Sequence, residues 1–273
     1  MEVRELIRGT VEWSRIELVA EEIATRYDCE ISDIRQLEAN NWLSTPLIIN
    51  GRWFVKIVSR QNSLIHAIFT TGRNMGAFSS GTEGFFQHFS TPYEMATYEL
   101  EATERMRESG LNVPTPVDAF EIDGLGVVML EYLPTFQPLS AVDTEQVTQH
   151  APEVFRMLAT MHESGIIHGD LQAENVLLVD EEVYFIDATS VREGSGKQAK
   201  AYDVASALGA ISALLGEKET VAAARQSYDA EMLLFALRFI DFVNIRPDHD
   251  FNATVLKGEI RKMAEDVGAE VNV

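Results

Sequence analysis

Apolar residues near the start of the chain follow first a helical period and then a strand pattern. Between Val11 and Tyr27 they recur at steps of three and four, which places them on one face of a helix: Trp13, Ile16, Ala20, Ile23 and Tyr27. The apolar runs 47–49 and 53–57 flank Asn50-Gly51, a dipeptide typical of two-residue type I′ hairpins because both central residues need positive φ. We therefore expect an N-terminal helix that packs on an antiparallel hairpin.

The middle of the chain predicts a long loop, a helix and a second hairpin. Between Arg60 and Thr91 the composition shifts to Gly, Ser, Thr and Asn without a sustained apolar period, which indicates a flexible loop. A helix is expected from Pro92 to Ser109, because proline favours helix starts and Gly110 follows its end. The runs Val117–Ile122 and Leu125–Leu130 flank Asp123-Gly124 and are predicted to pair.

The second half of the chain predicts helices around one small hairpin. Pro152–Ser164 has one apolar face and is followed by Gly165, which predicts a helix. The short runs Val176–Val179 and Val183–Ile186 predict a hairpin, and from Lys200 onward the pattern is helical.

This order predicts an α+β chain with a two-lobed fold. We expect an N-terminal helical extension at 1–33 and an N-lobe at 34–130, formed by a small antiparallel sheet with one main helix. The N-lobe contains the flexible loop insertion at 60–91. A mostly helical C-lobe is expected at 131–273.

Composition narrows the classes of function. The chain has 22 Lys+Arg against 43 Asp+Glu, a formal charge of −21, and one cysteine. This charge argues against nucleic-acid binding, because affinity for the phosphate backbone comes mainly from Lys and Arg. A single cysteine excludes an intramolecular disulfide and a cysteine-based metal site. The apolar run Val204–Leu215 is too short to span a bilayer, and residues 1–15 lack the apolar core of a signal peptide. We expect a cytoplasmic protein without membrane association.

One segment carries residues suited to phosphoryl transfer. It reads Ile166-Ile-His-Gly-Asp-Leu-Gln-Ala-Glu-Asn-Val-Leu-Leu, and Tyr184-Phe-Ile-Asp-Ala follows the predicted hairpin. Four residues separate Asp170 from Asn175, as in the His-x-Asp-x-x-x-x-Asn catalytic loop of kinases, and Asp187 lies at the position of the kinase metal-binding aspartate. This chemistry needs a carboxylate near the attacking hydroxyl and two oxygen ligands that hold Mg²⁺ on the phosphates. We therefore expect Asp170 as catalytic base and Asn175 and Asp187 as metal ligands.

With these residues the chain resembles the protein-kinase-like superfamily, and within it most closely the RIO-type atypical serine/threonine kinases, over about Ile34–Leu215. The resemblance implies that Lys56, in Phe54-Val-Lys-Ile, contacts the phosphates of ATP and that Glu99 pairs with it. It also implies that Asp203, in Tyr202-Asp-Val, braces the catalytic loop.

The same resemblance implies a nucleotide-binding hinge at 127–133. Leu130 is then the gatekeeper, and the backbone of Glu131 and Leu133 faces adenine. His168-Gly-Asp-Leu replaces the usual His-Arg-Asp-Leu, as it does in RIO proteins and small-molecule kinases.

Helical periodicity gives separate support for Glu99. Met95, Glu99, Ala102 and Met106 are spaced four, three and four, so Glu99 lies on the inward apolar stripe and Glu101 points away from it. A buried carboxylate needs a charged partner because an unpaired one is costly to desolvate. Lys56 is the candidate partner; a Glu99 side chain that reaches solvent at the edge of the stripe is the alternative.

Three departures from the kinase pattern matter. The expected phosphate loop, Leu37-Glu-Ala-Asn-Asn-Trp-Leu-Ser-Thr-Pro, contains no glycine. Its backbone amides could still face phosphate, with Asn41, Ser44 and Thr45 adding side-chain donors. Ile186-Asp-Ala-Thr replaces the Asp-Phe-Gly triplet, whose glycine RIO proteins also lack. Asp187 and Asp203 are only sixteen positions apart, which is too short for an activation segment that docks a peptide.

The remaining histidines are expected to be surface or packing residues, because they show no metal-ligand spacing: His66, His88, His150, His162 and His249.

The sequence thus predicts an ATP-dependent phosphotransferase of RIO type, a serine/threonine protein kinase or an ATPase, that uses Mg²⁺ or Mn²⁺. Its partners would be ATP and a hydroxyl acceptor on a protein or small molecule. Two alternatives stay open. One is a small-molecule kinase of the aminoglycoside or choline phosphotransferase kind. Such enzymes usually carry a larger helical insertion between hinge and catalytic loop for the acceptor site, whereas only 37 positions separate Glu131 from His168 here. The other is a nucleotide-binding regulatory pseudokinase, suggested by the glycine-free loop.

Overall fold

The computed structural model describes residues 11–37, 44–63, 89–188, 196–244 and 251–269. The chain divides into two compact units. Of these described residues, the N-lobe contains 11–37, 44–63, 89–104 and 114–134, and the C-lobe contains 105–113, 135–188, 196–244 and 251–269. The predicted α+β class, with an antiparallel sheet in one unit and helices in the other, is confirmed.

The N-lobe is built on a five-stranded antiparallel sheet with strand order β1-β2-β3-β5-β4. Its elements are α1 (Trp13–Tyr27), β1 (Ile34–Gln36), β2 (Thr45–Ile49), β3 (Trp53–Val58), most of α2 (Pro92–Glu108), β4 (Pro116–Ile122) and β5 (Leu125–Glu131). Asn50 and Gly51 have φ of 54° and 58°, as a type I′ turn requires. Asp123 and Gly124, with φ of 49° and 68°, turn the second predicted hairpin.

Helix α1 shares the hydrophobic core of this sheet. Ile16, Val19 and Ile23 are buried in one cluster with side chains of β2, β3 and β5, so the expected packing is present. The prediction that Trp13 lies on the buried face was wrong, because the residue is 51% exposed and its indole N–H donates to Glu17 Oε1 at 2.9 Å. A surface carboxylate one turn away satisfies the indole N–H and lets the ring stay outside the core.

Helix α2 starts directly against strand β5. A Cβ at Gly126 would lie 2.1 Å from the carbonyl oxygen of Pro92, so only glycine allows this backbone contact. Farther along the helix, Ala96 is buried in a cluster with Val128 and Leu130 of β5. The sheet therefore fixes the helix that carries Glu99.

The C-lobe combines helices with a three-stranded antiparallel sheet, β6-β7-β8. Its elements are β6 (Gln137–Pro138), α3 (Thr144–Glu163), β7 (Val176–Val179), β8 (Glu182–Phe185), α4 (Gly196–Leu215), α5 (Glu217–Ala224), α6 (Ala230–Asn244) and α7 (Ala253–Asp266). Asp180 and Glu181 have φ of 48° and 67° and turn the predicted β7–β8 hairpin.

The predicted start of helix α3 at Pro152 was wrong, because the helix begins eight residues earlier, at Thr144. Asp143 caps the helix, accepting from the backbone N–H of Gln146 at 2.9 Å. Pro152 lies inside the helix, where it removes one backbone hydrogen bond. Burial of Val147 and Ala151 in the first turns offsets that loss.

Most of the predicted loop at 60–91 lies outside the described residues, although its first four residues, 60–63, are helical. Within the described part of the chain, no helix has the length and apolar character needed to cross a membrane.

Candidate active site

In the N-lobe, Lys56 and Glu99 form the predicted ion pair. Lys56 Nζ donates to Glu99 Oε1 at 2.7 Å, and the two side chains are 5% and 19% exposed. Lys56 lies on β3, where it faces Val128 of β5 and Pro46 of β2 across the sheet. The pair is therefore held between the central strands and α2, largely shielded from water, where a charged hydrogen bond is strong.

Helix α2 presents the faces that its periodicity predicts. Ala102 and Met106 are buried, Met95 and Glu99 are half-buried, and Glu101 is exposed. Glu99 and Glu101 are two residues apart, just over half a helical turn, so one glutamate pairs with Lys56 and the other faces solvent.

The predicted hinge residues lie at and after the end of β5. Leu130 is buried, Glu131 is exposed and Leu133 is half-buried. The Glu131 amide donates to the carbonyl of Thr115 at 2.8 Å, so this segment is tied to the residue before β4. Its contact with adenine stays a prediction.

Ser44 and Thr45, the predicted donors of the phosphate loop, are buried at the start of β2, with 8% and 3% exposure. Asn41, the third predicted donor, lies outside the described residues. The phosphate contact of Ser44 and Thr45 stays a prediction.

In the C-lobe, the segment 168–175, the predicted catalytic loop and called the catalytic loop below, is folded around its own polar groups. Asn175 Nδ2 donates to the carbonyl of Asp170 at 2.8 Å, and Gln172 Nε2 donates to Asp170 Oδ1 at 3.2 Å. Asp170 is only 8% exposed. The structure therefore brings Asp170 and Asn175 together, and it adds Gln172, which the sequence reading had not singled out.

Asp187 follows β8 closely and is linked to the same loop. The amide of Ile186, its neighbour, donates to the carbonyl of Asn175 at 3.0 Å. Asp187 itself has φ of 60°, a conformation that costs a non-glycine residue energy and that clusters at functional sites. The backbone thus holds the two predicted metal ligands on adjoining segments.

The donor set of this site fits Mg²⁺. Because the Asn175 amide nitrogen is used by Asp170, its oxygen is the atom left for a cation, and Asp187 adds a carboxylate. Mg²⁺ prefers oxygen ligands and is commonly bound by one or two side chains together with substrate phosphates. Within the described ranges no group of three or more His, Cys, Asp or Glu could hold a metal ion, so substrate oxygens would have to complete the coordination.

Asp203 of α4 binds the backbone of the catalytic loop. It is fully buried, and its two carboxylate oxygens accept from the amides of His168 at 2.6 Å and Gly169 at 2.8 Å. His162 Nε2 lies 3.2 Å from the same carboxylate. Hydrogen bonds from backbone amides to a buried carboxylate are strong, so the loop is fixed by a group 33 residues after Asp170 in the sequence.

His162 and Tyr228 were missed by the sequence reading, which treated His162 as a packing residue. Tyr228 Oη lies 2.9 Å from His162 Nδ1. No spacing signal relates two residues 66 positions apart, because only the packing of the segment after α5 against α3 brings them together.

His168 is fully buried, and burial lowers its pKa, although the carboxylates of Asp203, Asp170 and Asp187 act in the opposite direction. Its ring packs edge-on against Phe185 at 5.7 Å between centroids. His168 therefore acts as a neutral packing residue beneath the loop rather than as a surface acid or base.

Comparison with known proteins adds family evidence. Residues 86–202 match the RIO domain family. The KEOPS complex subunit Bud32 of Pyrococcus abyssi (strain GE5 / Orsay) is 34% identical over 98 residues, which cover 34% of this chain and 43% of that protein. The 3-deoxy-D-manno-octulosonic acid kinase of Vibrio cholerae serotype O1 (strain ATCC 39315 / El Tor Inaba N16961) is 25% identical over 143 residues, covering 50% and 58%. The matches thus span less than two thirds of either relative.

Among solved structures, an aminoglycoside-3'-phosphotransferase of type VIII is similar with a TM-score of 0.51 and 17% identity. The match covers 83% of this chain and 98% of that chain. At this identity the likeness concerns the fold alone.

Proposed function

We propose that this chain, which belongs to the protein-kinase-like superfamily and is of RIO type, is an ATP- and Mg²⁺-dependent phosphotransferase or ATPase. The observation that carries the proposal is the catalytic loop held by buried Asp203, with Asp170 and Asn175 joined by a hydrogen bond and Asp187 on the adjoining segment. A chain without catalysis has no physical need for this complete set.

Lys56 and Glu99 would position the nucleotide. A lysine held at 2.7 Å by a half-buried glutamate has a fixed direction, so it can meet the phosphates without first losing side-chain freedom. Glu131 and Leu133 would bind adenine through their backbone, and Ser44 and Thr45 would line the phosphates. These roles rest on the resemblance in sequence together with the geometry of the N-lobe.

Asp170 would act as the base for the attacking group. The oxygen of an acceptor hydroxyl or of water attacks the γ-phosphorus, the bond from that phosphorus to the β–γ bridging oxygen breaks, and ADP leaves with the bond electrons. The acceptor proton passes to the Asp170 carboxylate. The hydrogen bond from Gln172 to Oδ1 orients this carboxylate for the transfer.

Asn175 and Asp187 would hold Mg²⁺. When bound there, the ion would supply positive charge that offsets the negative charge of the phosphate oxygens and of the leaving group. The left-handed backbone of Asp187 and the Ile186–Asn175 hydrogen bond support this role, because they would hold the two proposed ligands in place before the nucleotide binds.

A small-molecule kinase is the second candidate, and the likeness to a sugar-acid kinase favours it. Enzymes that phosphorylate small alcohols need a pocket that encloses the acceptor. The segment from β5 to the catalytic loop holds only β6, one 3-10 turn and α3, which leaves little chain for such a pocket. We therefore place protein phosphorylation or ATP hydrolysis first.

Release of ADP by the purified chain tests the proposal. Asp170→Asn should retain nucleotide binding while turnover falls on the order of 10³-fold, equivalent to about 4 kcal/mol of transition-state stabilisation. Asp180→Asn, the same substitution on the exposed turn of the neighbouring hairpin, is the matched control and should retain turnover. Equal turnover in wild type and Asp170→Asn would refute the assignment of the base.

Acceptors distinguish the two candidates. Wild-type protein is assayed with ATP alone, with a protein substrate such as casein, and with a panel of sugars and amino alcohols. Phosphorylation confined to the small alcohols would favour the second candidate. Nucleotide binding without turnover in every assay would instead favour a regulatory pseudokinase.

A further inference from the structure

A chain of polar side chains leads from Tyr228 through His162 to the aspartate beneath the catalytic loop. Tyr228 Oη lies 2.9 Å from His162 Nδ1, and His162 Nε2 lies 3.2 Å from Asp203 Oδ2. The same Oδ2 accepts from the His168 amide at 2.6 Å. Three successive hydrogen bonds therefore link a residue outside the site to its backbone.

Burial makes each of these bonds matter. His162 is 3% exposed and Asp203 is fully buried, so neither can exchange its partner for water. A buried polar group that loses its partner keeps the full cost of desolvation, and satisfied buried networks hold their members in one arrangement.

The hydrogen-bonding partners of His162 determine which of its ring nitrogens carries hydrogen. An ionised carboxylate only accepts hydrogen bonds, so the nitrogen of His162 that faces Asp203 must carry hydrogen. In the neutral ring the other nitrogen, Nδ1, is then an acceptor, and the phenol of Tyr228 donates to it.

We propose that Tyr228 is a positioning residue: its hydroxyl holds His162 as the neutral Nε2–H tautomer, so that His162 keeps Asp203 oriented towards the amides of the catalytic loop. The inference rests on the proposed function for its effect on turnover, but the tautomer of His162 is a property of the C-lobe alone.

The surroundings of the phenol agree with its role as a donor. Burial, then the charges of Asp203 and Glu163, raise the pKa of Tyr228 above its ordinary value. The phenol therefore keeps its proton, and His162 Nδ1 is the acceptor that lies within hydrogen-bond distance of it.

The first measurement is the tautomer of His162 in the wild-type protein. Long-range ¹H–¹⁵N NMR of histidine-labelled protein at pH 7.5 distinguishes protonated from bare ring nitrogens, and loss of one signal set in His162→Gln assigns the residue. We expect hydrogen on Nε2 and a bare, hydrogen-bonded Nδ1. Hydrogen on Nδ1, in a neutral or a charged ring, would overturn the proposal.

The second measurement compares Tyr228→Phe with Tyr93→Phe. Tyr93 is 40% exposed in the N-lobe, so it controls for loss of a phenol hydroxyl. Tyr228→Phe should shift the His162 nitrogen signals and lower kcat by about 3- to 10-fold, the range that one lost net hydrogen bond represents, while the nucleotide Kd stays within about twofold because the N-lobe contacts are intact.

The outcomes separate the inference from the function. Unchanged His162 signals and unchanged kcat in Tyr228→Phe would overturn the inference. If wild-type protein shows no turnover at all, the proposed function fails, and the His162 signals still decide whether the hydrogen-bond chain exists. If Tyr228→Phe does not fold, the tautomer of His162 in the wild-type protein tests the inference by itself: hydrogen on Nε2 supports it and hydrogen on Nδ1 overturns it.

Discussion

Asp203→Asn removes one acceptor from the catalytic loop with almost no change in side-chain volume. The wild-type carboxylate accepts from the amides of His168 and Gly169 at 2.6 and 2.8 Å, through different oxygens, and His162 lies against one of them. Asparagine offers one oxygen and one NH₂ group. At least one buried backbone N–H must then face another donor.

The size of the effect follows from these contacts. A hydrogen bond to a charged group contributes about 1.5–3 kcal/mol, and a buried donor without a partner costs about 1–3 kcal/mol. These terms overlap, so we expect the local opening free energy of the loop to fall by about 2–4 kcal/mol. Since about 1.4 kcal/mol is a factor of ten, the affected amides should exchange about 30- to 700-fold faster.

Hydrogen–deuterium exchange of a peptide that contains residues 166–172 measures this directly. The matched control is Asp241→Asn, an exposed carboxylate of the same lobe that pairs with Lys257; its loss should change stability by less than about 1 kcal/mol. Equal protection of the 166–172 peptide in Asp203→Asn and wild type would refute the reasoning that Asp203 fixes the loop.

Three further predictions concern other parts of the chain. Glu99→Gln should weaken ATP binding about tenfold in calorimetry, because Lys56 loses the charge that orients it, whereas Glu101→Gln, on the exposed face, should bind as wild type does; equal loss in both would contradict the pairing. Burial lowers the pKa of His168 below its ordinary 6.5, so as the pH drops below about 6.5 this histidine is protonated in the unfolded chain before it is protonated in the native state. The free energy of unfolding therefore decreases over this pH range. Urea unfolding at pH 7.5 and 5.5 measures this: between the two pH values the free energy of unfolding should decrease less in His168→Gln than in wild type. An identical decrease in both proteins would refute the reasoning. Asp143→Ala should cost about 1 kcal/mol in urea unfolding by removing the cap of α3, and a change below about 0.3 kcal/mol would show that the cap does not stabilise the helix.

Local signals predicted much of the N-lobe. The dipeptide Asn50-Gly51 marks a turn that few other pairs can form, and both residues have the expected positive φ. The spacing of Glu99 on its helix predicted which glutamate faces inward, and the structure has the ion pair with Lys56. Such features depend on residues close in sequence or on one strong periodicity.

Features that depend on distant parts of the chain were not predictable in this way. Strand β6 has only two residues, Gln137 and Pro138, and exists because β7 is there to pair with it. Pro152 suggested a helix start, but the cap at Asp143 and burial of the first turns outweigh it. The bond of Tyr228 to His162 joins segments 66 positions apart, and no periodicity encodes it.

The Mg²⁺ dependence of ADP release in wild type and Asp187→Ala tests the central claim most directly. The account predicts turnover that requires the ion in wild type and that falls on the order of 10³-fold in Asp187→Ala, about 4 kcal/mol, while the Lys56–Glu99 pair in the N-lobe still binds nucleotide without metal. Asp180→Asn serves again as the control. Turnover that is equal in the two proteins, or that needs no divalent ion, would contradict the assignment of Asp187 as a metal ligand and the proposed phosphoryl-transfer site with it.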